Sequence, residues 1–119
     1  MAIQLKRAYE KPAKEDGVRL LVERLWPRGL TKEKAAIDEW FRDIAPSPAL
    51  RKWYGHDPEK WEDFKRRYRD ELRGNPQEVE RLRARVKKSP VTFVYAAKDE
   101  QRNSAVVLKE YLGRTSKTM

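Results

Sequence analysis

The sequence contains no cysteine and a single histidine, His56, among its 119 residues. The lack of cysteine excludes disulfide bonds, thiolate catalysis and cysteine metal sites. One imidazole and scattered carboxylates do not form a set of ligands with metal-binding spacing, so we expect no metal and no other cofactor. The chain also lacks a long apolar run and an apolar signal-peptide core near its amino terminus. We therefore expect a cytoplasmic protein without a membrane partner.

Charged residues make up 39% of the chain and give it a net charge of +9. Such a charge content is typical of disordered chains, but four Trp, five Tyr and three Phe supply large surfaces to bury. We therefore expect one globular domain over residues 1–119, with a flexible tail at 113–119. The densest basic cluster, residues 65–69, is either a solvated helix face or a contact for an anionic partner.

Proline, glycine and capping residues divide the chain into strands and helices. Apolar segments predict strands over 3–8, 18–26 and 90–97. Capping side chains, three of them followed by proline, predict helices over 32–44, 48–54, 58–72, 76–88 and 101–112. This order predicts an α/β fold in which a small three-stranded sheet, at least partly parallel, packs with about five helices. The direction of the first strand is open, because its loop suits neither a crossover nor a tight hairpin.

The most informative segment is the stretch 21–29, in which an apolar strand runs into a rigid, cationic turn. Pro27 stops ladder hydrogen bonding and Gly29 permits a tight exit. Trp26 and Arg28 are thereby held near the end of the strand, where α/β proteins usually build ligand sites. If the second and third strands are parallel, the segment 96–99 faces the same crevice.

Three spaced motifs occur in order: Arg24-Leu25-Trp26-Pro27-Arg28-Gly29, Ala45-Pro46-Ser47 with Leu50-Arg51, and Tyr95-Ala96-Ala97-Lys98-Asp99. They resemble the YeaO-like branch of the domain-of-unknown-function 488 family, over about residues 3–112. The resemblance implies a small bacterial or archaeal α/β protein and implies no particular activity. The chain departs from the family pattern at Glu23, where Asp is frequent, and at Arg102-Asn103-Ser104, where we expect a His-Asn pair. A histidine there would have been a candidate acid or base.

Arg24, Trp26 and Arg28 are candidate ligand-binding residues. Arg28 would grip a phosphate or carboxylate through two parallel hydrogen bonds, or it stacks on Trp26 or caps a helix end. Arg24 would point the same way, or it pairs with Glu23 or another acid across the sheet. Trp26 is either a stacking platform for a ring or part of the core.

Lys98, Asp99 and Asn103 lie between the third predicted strand and the last helix. A helix amino terminus favours anions through its free N–H groups and its partial positive charge. Asp99 is either the N-cap of this helix or, beside a ligand, a base to which Lys98 adds positive charge. Asn103 would donate or accept hydrogen bonds toward the same crevice. No glycine-rich phosphate loop precedes the helix, which argues against a Walker-type nucleotide site.

His56 and Ser47 suggest catalysis, but each has a structural explanation. Imidazole is a common general base near neutral pH, whereas the neighbouring Asp57 is better explained as the N-cap of the next helix. Ser47 is an ideal N-cap as well as a candidate nucleophile, and no G-x-S-x-G elbow accompanies it. A Ser-His-Asp triad is therefore disfavoured, and Ser47, Arg51 and His56 are kept as contributors to an anion site.

Two functions of different classes follow from these residues. The favoured one is a pocket for a small anionic ligand that carries a phosphate or carboxylate, with binding residues Arg24, Trp26, Arg28, Ser47, Arg51, Lys98 and Asn103. Asp99 and His56 would add acid–base catalysis if the protein is an enzyme, which the sequence leaves open. The alternative is a nucleic-acid-associated basic protein, although the chain has no helix-turn-helix, RNP motif or zinc finger. An interaction module whose aromatic surface docks a partner or forms a homodimer is a third hypothesis.

Overall fold

The computed structural model describes the backbone of residues 2–117 and the side chains of residues 2–113. Its sheet has the strand order β1-β4-β2-β3, with β1 (Ile3–Arg7), β2 (Val18–Leu21), β3 (Glu39–Trp40) and β4 (Val91–Tyr95). All three strand pairs are parallel: residues 3–7 lie opposite 91–95, residues 18–21 opposite 91–94 and residues 20–21 opposite 39–40, each in the same direction. The α/β class and the parallel sheet are confirmed, and the first strand is parallel as well. The carboxyl ends of all four strands therefore share one edge.

The fourth strand, β3, corrects the predicted three-stranded sheet and the predicted helix over 32–44. Helix α1 spans only Lys32–Ala35, because Ala36 adopts a left-handed conformation (φ 51°) that ends it. The chain then extends, and Phe41 N donates to Leu21 O over 2.8 Å. The spacing of apolar residues imitated a helix. These apolar residues are in fact divided between two clusters on opposite sides of the sheet: Ile37 and Trp40 belong to one, and Phe41 and Ile44 belong to the other.

The remaining helices are α2 (Pro48–Tyr54), α3 (Trp61–Arg73), α4 (Pro76–Lys88) and α5 (Ser104–Lys117). The predicted caps Thr31, Ser47 and Asp57 each accept a backbone N–H from the following turn. Asn75 does not cap α4, since its side chain donates instead to Asp43 O over 3.0 Å. Residues 58–60 form a 3-10 turn before α3.

The last helix differs from its prediction at both ends. It begins at Ser104 rather than at 101, and it continues past Gly113 to Lys117. Residues 118 and 119 of the expected flexible tail lie outside the described residues. Among the strands, β2 stops at Leu21 instead of running on to 26, so the residues that follow it are free to shape a site.

Helices α2 to α5 cover one face of the sheet and form the main core. Its fully buried side chains include Leu20, Phe41, Tyr68, Leu82, Phe93 and Leu108. A smaller cluster on the other face contains Leu21 and Val94. Trp26 packs against this second cluster with its ring 5.6 Å from that of Trp40, and its Nε1 donates to Leu30 O over 2.7 Å. Trp26 is therefore part of the packing.

A buried ionic cluster centred on Asp16 fixes the loop between β1 and β2. The Asp16 carboxylate contacts Arg19 Nη1 at 2.6 Å and Lys6 Nζ at 3.1 Å. Arg19 also donates to Ala35 O, which ties α1 to the sheet. Burial alone would raise the pKa of Asp16. Hydrogen bonds from Ala13 N–H, Lys6 and Arg19 outweigh it and hold that pKa below its ordinary value.

Candidate functional site

A cavity of about 200 Å³ opens at the carboxyl ends of β2 and β4. Glu23, two residues beyond the end of β2, and Ala96, directly after β4, form its inner wall. The end of α2 contributes Arg51 and Tyr54. The start of α5 and the residues before it contribute Arg102, Asn103 and Ser104, and His56 lies in the turn after α2. The sheet thus places a cavity at the edge where the sequence predicts one.

Glu23 is the one carboxylate among the described residues that line the cavity. Its Oε2 accepts a hydrogen bond from Ala96 N over 2.9 Å, and its backbone oxygen accepts from Trp40 Nε1 over 2.6 Å. Burial raises the pKa of the Glu23 carboxyl, against the lowering influence of the Ala96 N–H and of the charges of Arg51 and His56. The fold therefore holds an acid in a place where ionisation is costly.

Three cationic or ionisable groups, Arg51, His56 and Arg102, stand at the mouth of the cavity, and all three are exposed. The Arg51 side chain makes no ion pair with any described residue, whereas Arg102 Nη1 lies 3.4 Å from Asp99 Oδ2. The charge of Arg51 favours the ionised form of Glu23. Two guanidinium-bearing residues thus line the same cavity as the acid, and guanidinium groups bind small anions through paired hydrogen bonds.

Aromatic side chains pack together along one wall of the cavity. Tyr54 stacks on Phe64 with ring centroids 4.4 Å apart, and the His56 ring lies 6.0 Å from that of Tyr54. His56 adopts a positive φ of 58°, which is uncommon outside glycine and follows directly on Gly55 at φ 54°. Backbone outliers of this kind cluster at functional sites, because the surrounding structure must hold them in place.

Asn103, and not Asp99, caps α5. Asn103 Oδ1 accepts from Val106 N over 3.1 Å, and its Nδ2 donates to Asp99 O over 2.9 Å. The Asp99 carboxylate accepts from the N–H groups of Arg102 and Gln101, each at 2.9 Å, and these hydrogen bonds hold its pKa below its ordinary value. Asp99 therefore belongs to a turn outside the cavity lining and is not placed to act as a base there.

The other predicted ligand-binding residues also lie outside the lining of this cavity. Arg24 donates to Pro46 O over 3.0 Å and to Ala45 O over 3.2 Å. Ser47 Oγ caps α2 and donates to Glu71 Oε2 over 2.5 Å. Arg28 and Lys98 are exposed and do not line the cavity. Of the predicted set, the structure brings together Arg51, His56 and Asn103, and it leaves apart Arg24, Trp26, Arg28, Ser47, Lys98 and Asp99.

Sequence reasoning missed Glu23, Tyr54 and Arg102 as site residues. A signal existed for two of them, because Glu23 and Arg102 are positions at which the chain departs from the family pattern. Tyr54 carried no such signal, because its place beside the cavity depends on how α2 packs against α3.

The basic cluster at residues 65–69 is largely occupied by contacts within the protein. Lys65 pairs with Glu62, Arg66 with Asp63 and Arg69 with Glu110. The Arg67 guanidinium lies 4.2 Å from the centre of the Trp53 ring, and Tyr68 is buried. These contacts favour a solvated helix face over a dedicated surface for an anionic partner.

Within residues 2–117, no three His, Cys, Asp or Glu side chains lie close enough together to hold a metal ion. In the same part of the chain, no helix combines the length and apolarity needed to cross a membrane.

Comparison with known proteins gives matches over nearly the whole chain. A family model described as the inactive DUF488-N3 subclade matches residues 2–118. The uncharacterized protein YeaO of Escherichia coli is 43% identical over 112 residues, which covers 94% of this chain and 97% of YeaO. The uncharacterized protein Rv3073c of Mycobacterium tuberculosis is 39% identical over 110 residues, or 92% of each chain. No solved structure gives a significant match.

Proposed function

The chain belongs to the inactive DUF488-N3 subclade, and on this premise we propose that it binds a small anion without catalysing a reaction on it. The membership confirms the resemblance to the domain-of-unknown-function 488 family that the sequence motifs indicate. The relatives are bacterial, which fits the cytoplasmic location that we propose.

The observation that carries the proposal is the pair of guanidinium groups, Arg51 and Arg102, at the mouth of one cavity. Planar guanidinium groups bind phosphates and carboxylates through paired hydrogen bonds. A volume of about 200 Å³ is below the usual range for drug-sized ligands, so it suits a compact anion rather than a dinucleotide. The carboxyl edge of a parallel sheet is also the usual place for such a site.

The arrangement of potential catalytic groups favours binding without chemistry. The Asp99 carboxylate accepts hydrogen bonds from backbone N–H groups of its own turn, and the Ser47 hydroxyl donates to Glu71 and accepts from Leu50 N. Among the described residues, no carboxylate forms an ion pair or a hydrogen bond with the His56 ring, whose neighbour is the ring of Tyr54, so no acid orients it as in a catalytic triad. The word "inactive" in the subclade's description agrees with this arrangement.

Thermal unfolding and calorimetry with sulfate and inorganic phosphate at low salt test the proposal. An anion present at about 100 times its Kd stabilises the fold by about 2.7 kcal/mol, which corresponds to a rise in Tm of about 10 °C. Arg51→Ala and Arg102→Ala are each expected to lower the affinity at least tenfold. Arg28→Ala is the matched control, because it removes the same charge from an exposed position outside the cavity.

Two results would overturn the proposal: no binding of either anion to the wild-type protein, or an equal loss of affinity in the Arg28→Ala control. Short oligonucleotides form a separate arm of the experiment. A shift caused by oligonucleotides alone, and abolished by moderate salt, would favour the nucleic-acid alternative, since phosphate-backbone contacts are strongly salt-dependent.

A further inference from the structure

The cavity poses an electrostatic problem, because Glu23 lines the same space as Arg51 and Arg102. A plain anion drawn in by the two guanidinium groups would approach a carboxylate of the same sign. Within a partly buried site such repulsion is screened less than it is in water. Either Glu23 takes up a proton when the anion binds, or the ligand brings its own positive charge to this wall.

The hydrogen bonds of Glu23 leave one of its oxygens available. Ala96 N donates to Oε2 over 2.9 Å, and no described residue donates a hydrogen bond to Oε1. The carboxylate lines the cavity, so a donor on a ligand can reach it. Its position is fixed from both sides, through the Ala96 N–H and through the bond from Trp40 Nε1 to the Glu23 backbone oxygen.

We propose that Glu23 selects a zwitterionic ligand, a small anion that also carries an ammonium group, with the anionic end at Arg51 and Arg102 and the ammonium end at Glu23. This proposal rests on the proposed function and adds the class of the ligand. A charge-assisted hydrogen bond from an ammonium group to a carboxylate is about twice as strong as a neutral one. It would also compensate for the burial that opposes ionisation of Glu23.

Two pairs of probes isolate the ammonium group. Taurine and 1-propanesulfonate differ only by an ammonium group in place of a methyl group, and so do β-alanine and butyrate. The sulfonates and carboxylates are ionised throughout the neutral range. The protein's net charge of +9 favours the purely anionic member of each pair. A higher affinity for the zwitterion would therefore oppose the effect of the protein's net charge, and we would attribute it to the carboxylate of Glu23.

We expect the wild-type protein to bind taurine at least tenfold more tightly than 1-propanesulfonate, and β-alanine more tightly than butyrate, by calorimetry at low salt. Glu23→Gln keeps an oxygen for the Ala96 N–H but loses the charge, so it should reverse both preferences. Glu23→Asp keeps the charge and should retain a weaker preference for the zwitterions. Glu33→Gln, an equal change of charge at an exposed position in α1, should leave every affinity unchanged.

The outcomes separate the two proposals. If the protein binds both members of each pair equally, or prefers the pure anions, the proposed selection by Glu23 is wrong. If sulfate still binds in that case, the proposed anion site stands. Failure of sulfate, phosphate and all four probes to bind would overturn both. The wild-type comparison needs no variant, so the proposal remains falsifiable even if a Glu23 variant fails to fold.

Discussion

The N–H of Ala96 donates a hydrogen bond of 2.9 Å to the side chain of Glu23, and this bond joins the chain just beyond β4 to the chain just beyond β2. The two strands are already neighbours in the sheet, with Leu21 opposite Val94. The bond therefore adds little to the architecture. Its consequence is to hold a carboxylate at the wall of the cavity.

Replacement of this carboxylate should raise stability in a pH-dependent way. Burial raises the pKa of Glu23, so between its ordinary value of about 4.5 and its folded-state pKa the folded protein binds the proton more tightly than the unfolded chain does. The free energy of unfolding of the wild type falls as the pH rises through that window. Glu23→Gln has no ionisable group at this position, so it does not lose stability in this way. We expect the variant to have a higher Tm than the wild type at pH 8, and the difference to vanish near pH 4, in ligand-free thermal unfolding. A difference that stayed constant with pH would contradict the assignment.

Ser47→Ala should affect stability but not ligand binding. The variant loses the cap of α2 and leaves Glu71 with one partner fewer, which costs about 1–2 kcal/mol in chemical denaturation. Sulfate affinity should be unchanged, because Ser47 does not line the cavity. Ser89→Ala is the control, since the Ser89 hydroxyl makes no hydrogen bond with the described residues. A loss of sulfate affinity in Ser47→Ala would show that Ser47 contributes to ligand binding after all.

Gly17→Ala should be strongly destabilising. Gly17 has a positive φ of 65°, and an added Cβ would lie 2.5 Å from Pro90 O, which is itself bonded to Val18 N. We expect a loss of about 2 kcal/mol or more in the free energy of unfolding. Gly113→Ala provides the contrast: an added Cβ there meets nothing within 4 Å inside α5, so a gain of about 0.5–1 kcal/mol is expected. Equal effects at the two positions would show that the close approach to Pro90 is not decisive.

Asp16→Asn should expose the cost of leaving a buried cation without its partner. Arg19, now 2.6 Å from a carboxylate oxygen, would lose that negative partner while it remained buried, and such a loss costs about 3 kcal/mol. Asp63→Asn breaks the exposed pair with Arg66 at 2.8 Å, and a cost below about 1 kcal/mol is expected there. Urea denaturation of both variants measures the difference, and similar losses would contradict the buried role of Asp16.

Local chemistry explains which parts of the fold were predictable. Thr31, Ser47 and Asp57 were correctly identified as caps, because a capping bond joins residues only two or three positions apart. Strand β3 was missed, because it exists only through pairing with β2 nearly twenty positions earlier in the chain. Local signals also could not decide between Asp99 and Asn103 as the cap of α5, because both residue types suit the role. In the structure it is Asn103 that accepts the N–H of Val106.

The candidate site was predictable in location but only partly in composition. Parallel strands place their carboxyl ends at one edge, so the neighbourhood of the segment 96–99 followed from topology. The approach of Arg51 to Arg102 depends on α2 and α5 packing on the same face of the sheet, more than fifty residues apart in the chain. No periodicity in the sequence carries that information. Arg28 and Lys98 were chosen for their closeness to strand ends, and both lie outside the cavity lining.

The strand order β1-β4-β2-β3 has a consequence for synthesis on the ribosome. Strand β4 lies between β1 and β2, so these two cannot pair with a sheet neighbour on that side until residues 91–95 have been made. Before that point only the two-residue pairing of β2 with β3 is available. Contacts between such distant segments are slow to form, because a long loop must close first. The nascent chain therefore exposes the apolar faces of β1 and β2 until residues 91–95 have emerged, and only then does the sheet close.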